Sequence, residues 1–221
     1  MNKLQKSSIA SLMASVAVLS SGFAFAESPL TANIGVSSNY IWRGVTQTTD
    51  QSAVSGGIDY AHSSGFYTGT WVSNQNWTGP DNYEQDVYLG YGFEAGPVGL
   101  DFGYINYSYP VGPGTDDFAE AYVNLSYEML TLGVASTTSK ESEILENDTY
   151  SYLGAEFEVR QGLSLGLLYG NYDYEDDNLD YTHVQVSLSK DDFTFSYDAT
   201  DMDAAAGDAR ITVSWGQTLD L

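Results

Sequence analysis

The side chains with chemical potential in this chain are carboxylates. Its 221 residues hold 30 Asp and Glu against 7 Lys and Arg, a formal net charge of −23 at pH 7. Such a chain repels nucleic acid and other polyanions, whose binding needs clusters of Lys and Arg, and it attracts cations. Some of the acids crowd together: Glu141, Glu143, Glu146 and Asp148; Asp173, Glu175, Asp176, Asp177 and Asp180; Asp198, Asp201, Asp203 and Asp208. Oxygen-rich clusters can hold Ca²⁺ or Mg²⁺, and Asp173, Glu175, Asp177 and Asp180 are the candidates for a metal. None has the EF-hand spacing, so solvated acidic loops are the plainer reading. Nucleophilic chemistry has little to work with. There is no Cys, no Gly-x-Ser-x-Gly, and only His62 and His183 could serve as a base. A hydrolase needs a nucleophile beside such a base; His183, between Thr182 and Val184, reads by default as a polar lumen residue. No catalytic residue and no cofactor is expected.

A second set of charges is spread singly along alternating sequence, and strands must position it. Leu30, Ala32, Ile34, Val36, Ser38, Tyr40 and Trp42 fall on one side of an extended chain, and Thr31, Asn33, Gly35, Ser37, Asn39, Ile41 and Arg43 on the other. Eleven further runs repeat the pattern. They are marked by Val54, Ile58 and Tyr60; Tyr67, Gly69 and Trp71; Val87 to Phe93; Val98 to Tyr104; Ala119 to Tyr127; Leu132 and Val134; Leu153 to Val159; Leu163 to Tyr169; Val184 to Leu188; Phe193 to Tyr197; and Ile211 to Trp215. In the third run Phe66, Thr68, Thr70 and Val72 form a competing face.

The breaks between runs alternate in length. Short ones fall at Ser63–Gly65, Glu94–Pro97, Glu128–Leu130, Gln161–Gly162 and Lys190–Asp192. Long ones fall at Gly44–Gln51, Ser73–Asn82, Ser108–Asp117, Thr137–Thr149, Tyr172–Asp180 and Asp201–Asp208. This predicts an all-β fold: a transmembrane, up-and-down antiparallel β-barrel of 12 strands, with short periplasmic turns and long extracellular loops. A soluble barrel would bury its apolar face instead. Against that, the polar face is rich in Gly, Ser, Thr and Asn, and aromatics gather at strand ends (Tyr40, Trp42, Tyr91, Phe93, Tyr104, Tyr127, Tyr169, Phe193, Trp215), as girdles at a lipid boundary would.

With the apolar face on lipid, the inward charged residues are Arg43, Asp59, Asp86, Asp101, Glu120, Glu156, Glu158, Asp198 and Arg210. Acid rings favour cations in pores, so a cation-preferring channel is expected. The competing role for each acid is a structural network with Arg43 and Arg210, placed on the first and last strands. Twelve strands lie between a side-chain-filled barrel and an open channel, so the pore should be narrow, with the Ser108–Asp117 loop able to obstruct it.

The ends add sorting information. Lys3 and Lys6, the apolar Ile9 to Phe23 stretch and Ala24-Phe25-Ala26 read as a cleaved secretion signal over residues 1–26, leaving one barrel domain over 27–221. The terminal Ser214-Trp215-Gly216-Gln217-Thr218-Leu219-Asp220-Leu221 resembles the strand signal read by barrel-assembly machinery, with Leu221 where Phe or Trp is usual.

The segment Ser37 to Thr48, Ser-Ser-Asn-Tyr-Ile-Trp-Arg-Gly-Val-Thr-Gln-Thr, is followed by Gly56-Gly57-Ile58-Asp59-Tyr60. Together with Glu84 to Tyr91, Asp101 to Tyr104 and Tyr107-Ser108-Tyr109-Pro110, it resembles the TorF family of porins. The resemblance implies a bacterial outer-membrane barrel and supplies no catalytic residues. The expected partners are outer-membrane lipid and lipopolysaccharide, small solutes or cations, and the assembly machinery. A non-conducting anchor or adhesin, whose acidic loops bind divalent cations or lipopolysaccharide, is the alternative.

Overall fold

The computed structural model describes residues 29–77, 79, 82–111, 117–140 and 148–221. The signal segment, Glu141, Glu143, Glu146 and the centre of the Ser108–Asp117 loop lie outside these residues.

Among the described residues fourteen strands follow one another: β1 Leu30–Ser37, β2 Ile41–Trp42, β3 Val45–Thr46, β4 Ala53–Ala61, β5 Phe66–Gln75, β6 Asn82–Ala95, β7 Val98–Ser108, β8 Phe118–Tyr127, β9 Leu130–Lys140, β10 Thr149–Arg160, β11 Leu163–Asp173, β12 Tyr181–Lys190, β13 Phe193–Thr200 and β14 Arg210–Asp220. All but β2 and β3 form a closed barrel of antiparallel neighbours. It closes where β1 meets β14, in register from Thr31 opposite Asp220 to Ser37 opposite Ser214. Closure leaves the barrel sheet without a free edge.

The period-two pattern sets which way each side chain points. Ile34, Val54, Ile58, Val87, Leu89, Phe102, Val123, Leu132, Leu153, Val186, Phe195 and Ile211 are exposed on the outer face. The buried positions are dominated by polar and tyrosyl residues, among them Glu84, Asp86, Asp101, Glu120, Asn124, His183 and Asp198. This is the inverse of a soluble barrel, and it follows from alternation once the polar face is turned inward. Tight connections sit at one rim. There Glu128 and Asp191 accept φ values of 52° and 53° to close short hairpins.

Two expectations fail. The first run is not one strand to Trp42. β1 stops at Ser37, and β2 and β3 form a separate two-stranded hairpin, Ile41 opposite Thr46 and Trp42 opposite Val45. Arg43 and Gly44 form its turn with φ of 48° and 85°, the sign pattern of a type I′ turn. Hairpin and barrel strand share the same period, so alternation alone could not separate them. Tyr40 and Trp42 are therefore interior residues, not part of an outer girdle, and Arg43 is not on a barrel strand. In β5 the competing face is the outer one: Phe66 and Val72 are exposed, while Tyr67 and Trp71 turn inward. An aromatic with a polar handle can enter a polar lumen when that handle is bonded, as the Tyr67 hydroxyl is to Asp101 Oδ1 at 2.6 Å.

Candidate functional site: a lumen occupied by its own hairpin

Residues 38–52, between β1 and β4, fold into the barrel. Asn39 sets the base of the hairpin. Its Oδ1 accepts from the Thr46 and Thr48 hydroxyls at 2.7 and 2.9 Å, and the Tyr40 amide donates to Thr48 Oγ1 at 3.1 Å. From there each successive side chain reaches a different wall. The Tyr40 hydroxyl donates to Glu84 on β6 at 2.6 Å, and its ring meets Trp71 on β5 edge-on at 5.5 Å. Trp42 packs edge-on against Tyr107, Phe118 and Tyr172 at 6.1, 6.0 and 5.9 Å.

Arg43, at the turn, crosses to β8. Its two terminal nitrogens donate to Glu120 at 2.8 and 2.7 Å, and its guanidinium lies over the rings of Tyr150 and Trp42 at 4.1 and 4.3 Å. Planar bidentate pairing and stacking together suit arginine and not lysine. On the other side of the turn a Cβ at Gly44 would stand 2.7 Å from His183 Cβ and 2.8 Å from Thr200 Cγ2. Gly44 is thus required both by its positive φ and by its approach to β12 and β13.

The expected inward residues divide into several fates. Asp59 accepts from Asn33 at 2.9 Å and from the Tyr88 hydroxyl. Asp101 accepts from the Tyr67 hydroxyl and from Asn124 Nδ2 at 3.1 Å; Asn124 in turn accepts from Tyr152 at 3.0 Å. Asp198 accepts from Gln185 at 2.7 Å and Ser196 at 2.8 Å. Asp86 is buried, and its Oδ1 has no partner among the described residues. Glu156 is half-buried on β10. Glu158 leaves the set: it is exposed, and Oε1 accepts the Gly162 amide at 3.1 Å across the β10–β11 turn.

Arg210 departs most. It begins β14 opposite Asp198, yet its side chain bonds Asp50 and the carbonyls of Ala205, Ala206 and Asp208 in the long-loop rim. One base, not two, serves the lumen. Glu84 also belongs with the lumen acids, although it falls between the expected Ser73–Asn82 loop and the run that begins at Val87. It lies two residues before Asp86 on the same face, and β6 starts earlier than the apolar run suggested.

The loop acids do not converge. Asp180 accepts the Tyr174 amide at 2.8 Å, Asp176 the Asn178 amide at 3.1 Å, and Asp148 the Glu175 amide at 3.2 Å while it pairs with Lys140. Among the described residues no group of three His, Asp or Glu is arranged to hold a metal, which includes Asp173, Glu175, Asp177 and Asp180. At the rim the Arg210 guanidinium holds the Asp50 carboxyl below its usual range. The Thr182 amide and hydroxyl, at 2.7 and 2.9 Å, do the same for Asp201. His183 Nε2 lies 2.9 Å from the Tyr150 hydroxyl.

The hairpin leaves a cavity of about 100 Å³ on the side of β4, β5 and β12 to β14. Hydroxyls of Ser55, Thr194, Ser196 and Thr212 line it, with the Trp71 ring and the Asp198 carboxylate. The arrangement is a polar lumen, mostly filled, bearing more acids than bases among the described residues.

The barrel is similar at low identity to several solved structures, two of them porins. One is described as KdgM porin in complex with disordered oligogalacturonate: TM-score 0.53, 8% identity, covering 87% of this chain and 98% of that one. Another is NanC porin in a rhombohedral crystal form: TM-score 0.50, 12% identity, 87% and 99%. A third comes from work on in-meso crystallization of membrane proteins: TM-score 0.55, 10% identity, 87% and 83%. These likenesses establish the barrel fold. No curated protein sequence matches the chain. Residues 23–217 match the family described as bacterial protein of unknown function (Gcw_chp), which is nearly the whole sequence, and the chain belongs to that family.

Proposed function

We propose that the protein is a porin-like channel of the bacterial outer membrane, narrow and cation-preferring, for passive passage of small solutes. The apolar outer belt suits a bilayer, and exported barrels of this form place their long loops outside the cell and their tight turns in the periplasm. The observation that carries cation preference is the charge balance of the lumen. Arg43 and Glu120 cancel each other. Asp59, Glu84, Asp86, Asp101 and Asp198 face inward with no basic partner among the described residues. Low-dielectric walls strengthen the field of such acids. An oligogalacturonate is a polyanion, so the ligand named for the KdgM structure does not complement this lumen.

The TorF resemblance, insertion through the C-terminal strand and contacts of the acidic loops with lipopolysaccharide belong to the same proposal. Planar-bilayer recording of refolded protein under a salt gradient tests it. A reversal potential favouring cations is the expected result, and one favouring anions removes it. A second reading, a non-conducting anchor, is favoured by the hairpin that fills the lumen; folded protein without any conductance would select it.

A further inference from the structure

Asp198 is the buried charge that the fold treats most oddly. It is 1% exposed and lies on the wall of the cavity. Arg210 stands directly opposite it across the β13–β14 ladder. That arginine turns away to Asp50 and three backbone carbonyls. What Asp198 receives instead is two neutral donors, the Gln185 amide and the Ser196 hydroxyl, one on each oxygen. A carboxylate has about four acceptor sites, so acceptor capacity remains on a buried anion, where an unmatched charge is costly.

A second unmatched group shares the wall. His183 is 4% exposed, lines the cavity, and its Nδ1 has no partner among the described residues. Nε2 is engaged by the Tyr150 hydroxyl, which leaves Nδ1 as one unmet polar atom, a donor or an acceptor according to the tautomer. The remaining surface combines hydroxyls with the rings of Tyr40, Trp71, Tyr150 and Tyr152. Arg43 also lines it, but its charge is matched by Glu120.

We propose that this cavity is a binding site for a small protonated amine bearing a hydroxyl group. Its ammonium would sit on Asp198 and its carbon atoms against the aromatic faces. The proposal deepens the channel reading and rests on it only for the route by which the amine arrives. The Asp198 carboxylate supplies the charged acceptor, His183 Nδ1 a partner for the hydroxyl group, which can donate or accept, and aromatic faces attract organic cations. A bare metal ion would want an all-oxygen shell in place of those rings. Size decides among amines. A cavity of about 150 Å³ holds benzene, so one of about 100 Å³ takes a solute of ethanolamine size. An amino sugar does not fit while the hairpin is in place.

The test is calorimetric titration of the folded full-length barrel in detergent, with ethanolamine as probe, paired with block of its single-channel current. Ethanolamine should bind saturably and at least tenfold tighter than ethylene glycol, glycolate, ammonium or potassium, and glucosamine should not bind. Asp198→Asn should weaken ethanolamine at least tenfold, and Asp173→Asn at the loop end should leave it unchanged. Should Asp198→Asn fail to fold, Ser55→Leu fills the cavity without touching the partners of Asp198 and should abolish binding. Equal binding of ethylene glycol or of potassium overturns the proposal, as does undiminished binding in both variants. Conductance without ethanolamine binding removes the site and keeps the channel; binding without conductance does the reverse.

Discussion

The two halves of the lumen handle buried charge in opposite ways. On the β6 to β8 side the hairpin brings a guanidinium to Glu120 and a phenol to Glu84, and stacked rings fill the space between. On the β12 to β14 side the wall arginine leaves, the Gln185 amide and the Ser196 hydroxyl take its place, and a cavity opens beside Asp198. The contrast teaches that an acid in this barrel is matched either by a residue of the inserted hairpin, as Glu120 and Glu84 are, or by neutral donors of the wall, as Asp59, Asp101 and Asp198 are. Charge counting treats the two alike; only the path of the chain between β1 and β4 separates them.

Breaking the filled half should have the largest effect. Arg43→Ala strands Glu120 as an unpaired buried anion, a loss of about 3–5 kcal/mol. Urea unfolding in lipid vesicles should report it, and single-channel conductance should rise as the hairpin loosens. Arg43→Ala with Glu120→Ala should recover much of the stability while keeping the higher conductance, since no charge is then left unmatched. Next comes Gly44→Val. A β-branched residue at φ 85° that also collides with His183 and Thr200 should cost about 1–3 kcal/mol and likewise open the passage, by the same two measurements. Asp101→Asn, within a network of Tyr67, Asn124 and Tyr152, should cost about 1–3 kcal/mol. It should also shift the reversal potential towards zero by removing one lumen acid.

The smallest effect belongs to the rim, where Asp50 is exposed and pairs with Arg210. Its carboxyl is held below the usual range by that guanidinium. The pairing therefore stabilises above the ordinary carboxylate pKa of about 4 and is lost as pH falls through the lowered value. Asp50→Asn should change stability by less than about 1 kcal/mol. Hydrogen exchange of residues 205–209 at neutral pH and at pH 3 should show wild type and variant converging in acid.

The barrel was legible because its evidence is periodic and redundant. Twelve alternating runs and sided breaks specify strand count, order and the direction of nearly every side chain, and Asp59, Asp86, Asp101, Glu120 and Asp198 followed. The errors share one physical cause. Period two reports that a segment is extended, not which sheet it joins, so Leu30 to Trp42 read as one strand when Arg43-Gly44 already carried the turn. Likewise, β5 has apolar residues on both faces, and only the hydrogen-bonded hydroxyl of Tyr67 shows which face is wet. Arg210 is in phase with the inward face at the start of β14, opposite Asp198, but a long side chain at a strand end can reach loop carbonyls as readily as a neighbour.

The hairpin is joined at both ends to adjacent wall strands, by Ser37 on one side and Ala53 on the other. In the proposed channel it would act as an inhibitor that can never diffuse away. A short tether holds a ligand at an effective concentration on the order of millimolar whatever the amount of protein present. A solute entering that channel would compete with the internal occupant, so apparent affinities measured from solution would fold in the work of displacing it. Two solutes with equal contacts to the wall would be told apart by how far each forces residues 38–52 to yield.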